Sequence, residues 1–177
     1  MKKITILFLF ITGAFVANAQ SNAVKLNYLS LIVKSYNVQF EHALNEKSSA
    51  QLGVYFLDWS PSGFTTKFQG FAVTPEYRFY LGDTPAPEGF FVAPFFRFQS
   101  YKLSDTSTSD EANYKNFGGG AIIGRQWVFS EKVTFEVFLG PSYGTGKVDV
   151  VSGTNVFNVS TFDGFGLRWG TTIGFAF

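Results

Sequence analysis

The C-terminal stretch of the chain alternates between large apolar and small side chains. From Phe165 to Phe177, the odd positions carry Phe, Leu, Trp, Thr, Ile, Phe and Phe, and the even positions carry Gly, Arg, Gly, Thr, Gly and Ala. A period of two predicts a β-strand, because successive side chains of a strand point to opposite faces. Bulky residues on one face and small or polar residues on the other are typical of a small transmembrane barrel with a narrow lumen.

Seven more strand-like runs precede this one. The first is apolar on both faces in its second half, so its inward face is not predicted. Most runs are close to the 9–11 residues with which a tilted strand crosses a membrane. The eight predicted runs cover residues 24–33, 36–44, 49–58, 67–81, 90–101, 116–129, 133–143 and 165–177. The pattern therefore predicts an all-β fold, an eight-stranded antiparallel up-and-down transmembrane β-barrel, in which closure removes the unpaired edges that lipid would not tolerate.

The predicted connectors alternate in length. The polar segments at 59–66, 103–115 and 145–163 are long, those at 45–47 and 130–132 are short, and 82–89 is intermediate. With the N-terminus in the periplasm, the long connectors all lie outside the cell and the short ones inside. This alternation is typical of bacterial outer-membrane barrels.

Residues 1–19 have the pattern of a cleaved secretory signal. Lys2 and Lys3 precede an apolar core at 4–16, and Ala17-Asn18-Ala19 forms a small-x-small cleavage site. The apolar core is shorter than the roughly 20 residues of a membrane-spanning helix. We therefore expect a mature domain of residues 20–177 that crosses the inner membrane and resides in the bacterial outer membrane.

The amino-acid composition excludes several classes of function and site. Charged residues make up 15% of the 177 residues and aromatic residues 19%, whereas soluble domains average about 25% charged residues. The net charge is +1, and it becomes −1 (12 basic against 13 acidic residues) without Lys2 and Lys3. A nucleic-acid partner is therefore not predicted. The absence of cysteine excludes disulfides, thiolate metal sites and cysteine nucleophiles.

Six charged residues share the inward parity of their strands. They are Glu41, Glu76, Arg78, Arg97, Glu136 and Arg168. The lumen of an eight-stranded barrel is just wide enough to be filled by side chains, and unpaired buried charge is costly. We therefore expect a structural network of ion pairs that plugs the lumen, with Arg168 beside Glu136 because their strands are neighbours. The alternative is a proton or ion path, since charges inside a membrane can mark such paths.

The face of Arg125 is left open by the sequence. Its parity matches the lipid-facing residues, where an arginine costs about 2–4 kcal/mol at the bilayer midplane and much less near an interface. A one-residue slip in the 130–132 turn would instead turn it inward. Aromatic residues near strand ends are typical of interfacial girdles, although a soluble barrel also carries aromatics there. The candidates for a girdle are Tyr36, Trp59, Tyr101, Trp127 and Tyr143.

No catalytic, cofactor-binding or metal-binding residue is predicted. His42 is the single histidine, and a site of imidazole and thiolate ligands is unsupported without cysteine. The segment Gly144-Thr145-Gly146-Lys147 resembles part of a phosphate-binding loop, but Val148 stands where that motif requires Ser or Thr. The alternative is a membrane-embedded lipid-modifying or proteolytic enzyme, for which His42 is the candidate base.

Several short runs resemble an uncharacterised family of outer-membrane barrels, domain of unknown function 3575. They are NAVKLN at 22–27, QFEHAL at 39–44, TPEYRFYL at 74–81, GFFVAPFFR at 89–97, GRQW at 124–127 and FLGP at 138–141. The resemblance covers essentially the whole mature chain. It implies an eight-stranded barrel similar to the membrane part of OmpA, and it implies no activity and no catalytic residue.

The sequence as a whole favours a small outer-membrane protein with a structural or interaction role, such as adhesion or envelope contact. Its expected partners are outer-membrane lipid and, during biogenesis, the barrel-assembly machinery, which would recognise the terminal aromatics Phe175 and Phe177. Thr172 stands where such assembly signals carry glycine. We expect a monomer, and the external partner is not identified. The alternative is a soluble periplasmic barrel that binds an apolar ligand, with apolar residues inside and polar residues outside.

Overall fold

A computed structural model describes residues 21–60, 65–105, 107–108, 110–153 and 163–177. The predicted signal peptide at 1–19 lies outside the described residues. Eight strands and one 3-10 helix follow each other along the chain. They are β1 (Asn22–Leu26), the 3-10 helix η1 (Tyr28–Val33), β2 (Ser35–Asn45), β3 (Ser48–Trp59), β4 (Thr66–Tyr80), β5 (Gly89–Asp105), β6 (Glu111–Phe129), β7 (Val133–Ser152) and β8 (Gly164–Ala176).

Each strand pairs antiparallel with the next, and β1 pairs with β8 to close the ring. At the seam Val24 lies opposite Phe175, and the backbone N–H of Asn22 donates to the carbonyl of Phe177 at 3.0 Å. The predicted eight-stranded antiparallel up-and-down barrel is thus confirmed as a fold. We call the end with Asn22, Phe177 and the turn at 130–132 the lower end, and the end with η1 the upper end.

The first predicted strand is wrong in its second half. Strand β1 ends at Leu26, and the chain then forms η1, with Asn27 as the N-cap that accepts from the backbone N–H of Ser30 at 3.3 Å. Lys34 ends the helix in the left-handed conformation, with φ 52°. The apolar run at 28–33 lacks a clear period, and periodicity alone does not distinguish a short helical segment from a strand.

The predicted loops at 103–115 and 145–163 are wrong over much of their length. Strand β5 continues to Asp105, β6 begins at Glu111, and β7 continues to Ser152. Polar residues there belong to the outer face of strands that rise above the rest of the barrel. Their inner faces pack in an upper apolar cluster formed by Leu57, Tyr101, Leu103, Ala112 and Tyr114.

The outer face of the barrel is apolar over a band around its circumference. On β7 the outward residues from Val133 to Tyr143 are apolar, and the next ones are Thr145, Lys147 and Asp149. Large exposed apolar side chains come from every strand. They include Val24, Tyr36, Val38, Phe40, Leu52, Phe56, Phe71, Tyr77, Phe79, Phe90, Val92, Phe96, Phe117, Ile123, Phe129, Val137, Leu139, Leu167, Trp169, Ile173 and Phe175. We call this surface the apolar band.

A lower apolar cluster fills part of the interior. Its buried members are Tyr80, Phe91, Ala93, Phe95, Ile122 and Phe138. The described residues contain no candidate transmembrane helix.

Candidate functional site

The six charges predicted to face the lumen all lie inside the barrel. Glu41, Glu76, Arg78, Glu136 and Arg168 are buried, whereas Arg97 is partly accessible from above. The strand period of two explains this placement, since each of the six alternates with outward neighbours, which are apolar except for His42 beside Glu41. Five of the six belong to one network of ion pairs.

Lys25 on β1 lies at the centre of this network. Its Nζ donates to Glu41 Oε2 at 2.6 Å, to Gln126 Oε1 at 2.7 Å and to Glu136 Oε2 at 2.7 Å. An ammonium group has three donors, so each of them has a partner although the side chain is fully buried. Lys25 therefore joins strands β1, β2, β6 and β7 across the lumen.

Arg78 on β4 reaches the same carboxylates from the opposite wall. Its Nη1 donates to Glu136 Oε2 at 2.6 Å, and its Nη2 donates to Glu136 Oε1 at 3.1 Å and to Glu76 Oε2 at 3.1 Å. Paired N–H donors on one carboxylate form the strong bidentate arrangement. The guanidinium also lies 4.4 Å from the ring centroid of Phe91.

The predicted pairing of Arg168 with Glu136 is wrong. Arg168 Nη2 donates instead to Glu76 Oε1, and Glu136 is held by Lys25 and Arg78. The reason is geometric, because in so narrow a ring a long side chain reaches the opposite wall as readily as the adjacent strand. Arg168 also stacks on Phe95, with its Cζ 4.4 Å from the ring centroid.

Glu41 completes the network at the lower end. It accepts from the hydroxyl of Tyr80 at 2.6 Å and from the hydroxyl of Ser49, in addition to Lys25. The network therefore crosses the lumen from wall to wall, and carboxylates alternate with cations along it. Such an arrangement neutralises charge and obstructs the lower lumen.

Arg97 stands apart from the network. Its Nε donates to the hydroxyl of Thr74 at 3.2 Å, and it forms no ion pair with any carboxylate of the described residues. It lines a cavity of about 590 Å³ that occupies the upper half of the barrel. In the described barrel, the ion-pair network thus occupies the lower part of the interior, and a cavity lies above it.

Sequence reasoning missed Lys25, Tyr80 and Gln126 as members of the network. Lys25 was obscured because the first predicted run is apolar on both faces in its second half. A usable signal was present, since Val24 and Leu26 flank Lys25 and a lysine on the lipid face of a barrel strand is costly. Tyr80 and Gln126 carry no charge and gave no comparable signal.

Arg125, whose face the sequence left open, points outward. It is exposed, and its Cζ lies 4.7 Å from the ring centroid of Phe90 and 5.0 Å from that of Trp127. These residues lie near the lower end of the apolar band. His42 is also outward and exposed, and its Nδ1 lies 2.9 Å from Asn22 Oδ1.

The aromatic residues predicted to form girdles divide between the two faces. Tyr36, Trp127 and Tyr143 lie on the outer face. The prediction is wrong for Tyr101, which is buried in the upper apolar cluster, and for Trp59, which packs against that cluster. Both belong to strands that extend further upward than predicted.

The C-terminal aromatics lie at the seam of the barrel. Phe175 points outward between Val24 of β1 and Val133 of β7. Phe177 extends the ladder, since its backbone N–H donates to the carbonyl of Asn22 at 2.9 Å. Within the described residues, no group of three or more His, Asp or Glu side chains could hold a metal ion.

Comparison with known proteins bears on the family resemblance that the short sequence motifs indicate. The family model described as Protein of unknown function (DUF3575) matches residues 4–171, nearly the whole chain. No curated protein and no solved structure matches the chain. The predicted family is therefore confirmed, and its description assigns no activity.

Proposed function

We propose that this chain, which belongs to the DUF3575 family of proteins of unknown function, is a small integral protein of the bacterial outer membrane. In this proposal the barrel spans the membrane, its lower lumen is plugged by side chains, and its role is structural or interactive. The proposed location includes export by a cleaved signal at residues 1–19, and the chain acts as a monomer.

The apolar band is the observation that carries this proposal. On β7 it extends from Val133 to Tyr143, roughly the 9–11 residues with which a tilted strand crosses the hydrocarbon core. On β5 and β6 it gives way to polar outward residues at Lys102 and Lys115. Soluble proteins rarely expose contiguous apolar patches larger than a few hundred Å². A soluble periplasmic barrel would show the opposite arrangement, with the polar residues outside.

The charge network supports a barrel that does not conduct. Lys25, Arg78, Glu41 and Glu136 are fully buried and bonded to one another across the lumen. Ions would have to break several charge-assisted hydrogen bonds to pass, and such bonds are roughly twice as strong as neutral ones. The network therefore favours a structural plug over an ion path.

The upper parts of β5, β6 and β7 support an interaction role. They rise above the apolar band, and their outer face carries Lys102, Asn113, Lys115, Lys147 and Asp149. In the proposed orientation this polar wall projects from the cell surface, where it can contact other molecules. Replacing Lys115 and Lys147 by alanine should weaken surface adhesion of cells without changing the stability of the barrel.

Membrane integration is tested by extraction and by gel migration. The mature protein in its native membranes should resist washing with high salt and with carbonate, and it should dissolve only in detergent. The unheated protein should migrate faster on a gel than the heated one, as a closed barrel resists the denaturant. Release by salt or carbonate without detergent would contradict the proposal and favour the soluble barrel.

Conduction is tested by recording from the purified protein in planar bilayers. The plugged lumen should give no steady, large conductance. A steady conductance that disappears in Arg97→Ala would refute the structural plug and support an ion path, because Arg97 lines the open half of the lumen.

A further inference from the structure

The open upper half of the lumen is large enough for a ligand. Its volume is about 590 Å³, within the roughly 300–1,000 Å³ of small-molecule sites. Polar side chains line much of it, and Arg97 and Arg168 belong to its wall. The other polar side chains include Asn37, Tyr55, Gln99, Tyr101 and Asn116, and apolar side chains such as Leu57, Phe95 and Phe138 line the rest. A mixed surface with two guanidinium groups suits a molecule that carries an anionic group on an organic body.

The charges inside the barrel leave one cation without a carboxylate. Lys25 and Arg78 are neutralised within the network, and Arg168 binds Glu76 through Nη2. The described lumen thus holds four cations, with Arg97 the fourth, against the three buried carboxylates Glu41, Glu76 and Glu136. A fourth carboxylate, the exposed Asp163, lines the cavity but forms no ion pair with Arg97.

Among the described residues, Asp163 is the one acidic side chain in the wall of the cavity that Arg97 lines. All 13 Asp and Glu residues lie in the described part of the chain, and the segment 154–162 contains none. Asp163 also lines the cavity, but its Oδ1 accepts from the hydroxyl of Tyr114 at 2.8 Å and from Asn116 Nδ2 at 3.2 Å. It forms no ion pair with either arginine of the described cavity wall.

Arg168 offers a second donor. The residue is only 8% exposed, yet its Nη1 has no hydrogen-bond partner among the described residues. A buried donor without a partner costs free energy, more so when the group is charged. Two guanidinium groups therefore border the cavity with N–H donors available, and guanidinium groups match the geometry of carboxylate and phosphate oxygens.

The cavity wall beside the two arginines contains several glycines, since Gly118 on β6 is the register partner of Arg97 and β8 carries Gly164 and Gly166 next to Arg168. Gly118, Gly144 and Gly164 are aligned on the adjacent strands β6, β7 and β8. A Cβ at Gly166 would meet only Ser142 Oγ, at 3.2 Å. The absence of side chains at these positions leaves space beside the arginines in the cavity.

We propose that the cavity binds a small polar organic molecule through an oxyanion group, carboxylate or phosphate, held by Arg97 and Arg168. The surrounding amides and phenols hydrogen-bond the polar body of the ligand. This inference goes beyond the proposed function and does not depend on membrane location, because it rests on the interior of the barrel alone.

The test uses the purified full-length mature protein, folded in non-ionic detergent, and titration calorimetry. The probes are gluconate, glucose 6-phosphate, glucose and inorganic phosphate. We expect gluconate, glucose 6-phosphate or both to bind at least about tenfold more tightly than glucose, because hydrogen bonds to charged groups are the stronger ones. The stronger of the two anions identifies the oxyanion that the site prefers.

Three variants separate the site from general charge effects. Arg97→Gln should weaken anion binding by about tenfold or more, and Gly166→Leu should weaken it by filling the cavity without a change of charge. Arg125→Gln removes the same charge from the outer face and should leave binding unchanged. Arg97→Gln should still fold, since it removes an arginine without an ion pair, and heat-dependent gel migration checks this.

The outcomes are distinguishable. Anions that bind no better than glucose, or an Arg97→Gln variant that binds as tightly as the wild type, would overturn the site. If inorganic phosphate binds as tightly as glucose 6-phosphate, and gluconate binds no more tightly than either, the site recognises the anion alone. This result would overturn the proposal that the ligand is an organic molecule. Failure of the membrane test would leave these results untouched, so the two proposals fail separately.

Discussion

Replacing Lys25 by methionine removes the central cation of the buried network while keeping a side chain of similar length. Glu41 and Glu136 each lose a hydrogen bond of 2.6–2.7 Å to the ammonium group, and Gln126 Oε1 loses its donor. Both carboxylates are fully buried. Glu136 keeps its bidentate contact with Arg78, whereas the nearest Arg78 nitrogen is 3.6 Å from Glu41. Glu41 is therefore the carboxylate that suffers most.

Breaking a buried pair by removing one partner costs about 3–5 kcal/mol, because the other charge is left uncompensated away from water. We expect Lys25→Met to lower the free energy of unfolding by about that amount. The matched control is Lys67→Met. Lys67 forms an ion pair with Asp58 at 3.1 Å, but the two side chains are 33% and 60% exposed, and such surface pairs contribute about 0–1 kcal/mol.

Urea titration of the protein refolded into lipid vesicles measures the free energy of unfolding of both variants. The fraction of protein that is folded is read from the migration of unheated samples on a gel. The double variant Lys25→Met with Glu41→Gln tests the mechanism, since it also removes the carboxylate that Lys25→Met leaves buried without its ammonium partner. We expect the second substitution to recover part of the loss, about 0.5–3 kcal/mol of coupling for residues in one network.

A Lys25→Met variant as stable as the Lys67→Met control would refute this reasoning. So would a double variant whose loss equals the sum of the two single losses, because Lys25 and Glu41 would then act independently. Either result would mean that the charges inside the barrel are solvated and do not depend on one another.

Two further predictions follow from the outer surface. Ile123 points outward near the middle of the apolar band on β6. In vesicles, Ile123→Arg should therefore lower the free energy of unfolding by about 2–4 kcal/mol, whereas Arg125→Ala near the lower interface should lower it by no more than about 1 kcal/mol. Equal losses of the two variants in urea titration would contradict the placement of the band. At the upper end, hydrogen bonds from the side chain and backbone of Ser107, and from the hydroxyl of Thr65, lower the pKa of Asp105 from 3.8 to about 2. Because the pKa of Asp105 in the folded protein lies below the ordinary value, the stabilising effect of these bonds is present above about pH 4 and is lost as the pH falls through about 2. Titration of the Asp105 carboxyl by NMR in micelles checks this. A titration midpoint near 3.8 would contradict it.

Strand alternation made most of the fold predictable. A period of two places every second residue on the same face, so the inward position of Glu76, Arg78 and Arg168 could be assigned without knowing their neighbours. The number of strands followed from the count of such runs. The ends of the strands were less predictable, since Lys102 and Lys115 looked like loop residues when they were the outer face of strands beyond the apolar band.

The partners of the charges were not predictable from strand order. Lys25 contacts Glu136 across 111 positions of the sequence, and Arg168 contacts Glu76 across 92. Strand order along the chain identifies neighbours within the sheet, but closure of the ring brings opposite walls within reach of a lysine or arginine side chain. The predicted Arg168–Glu136 pair failed for this reason.

The sequence by itself determined the β-fold, the strand count and the inward face of the charges, because each of these depends on the local alternation of side chains. Only the tertiary structure decided which carboxylate each cation binds, which way Arg125 points, and where the cavity lies inside the barrel. These depend on side-chain volumes summed across the ring, in which long arginines and the glycines of β6, β7 and β8 lie side by side. That sum leaves Arg97 facing a cavity instead of a carboxylate.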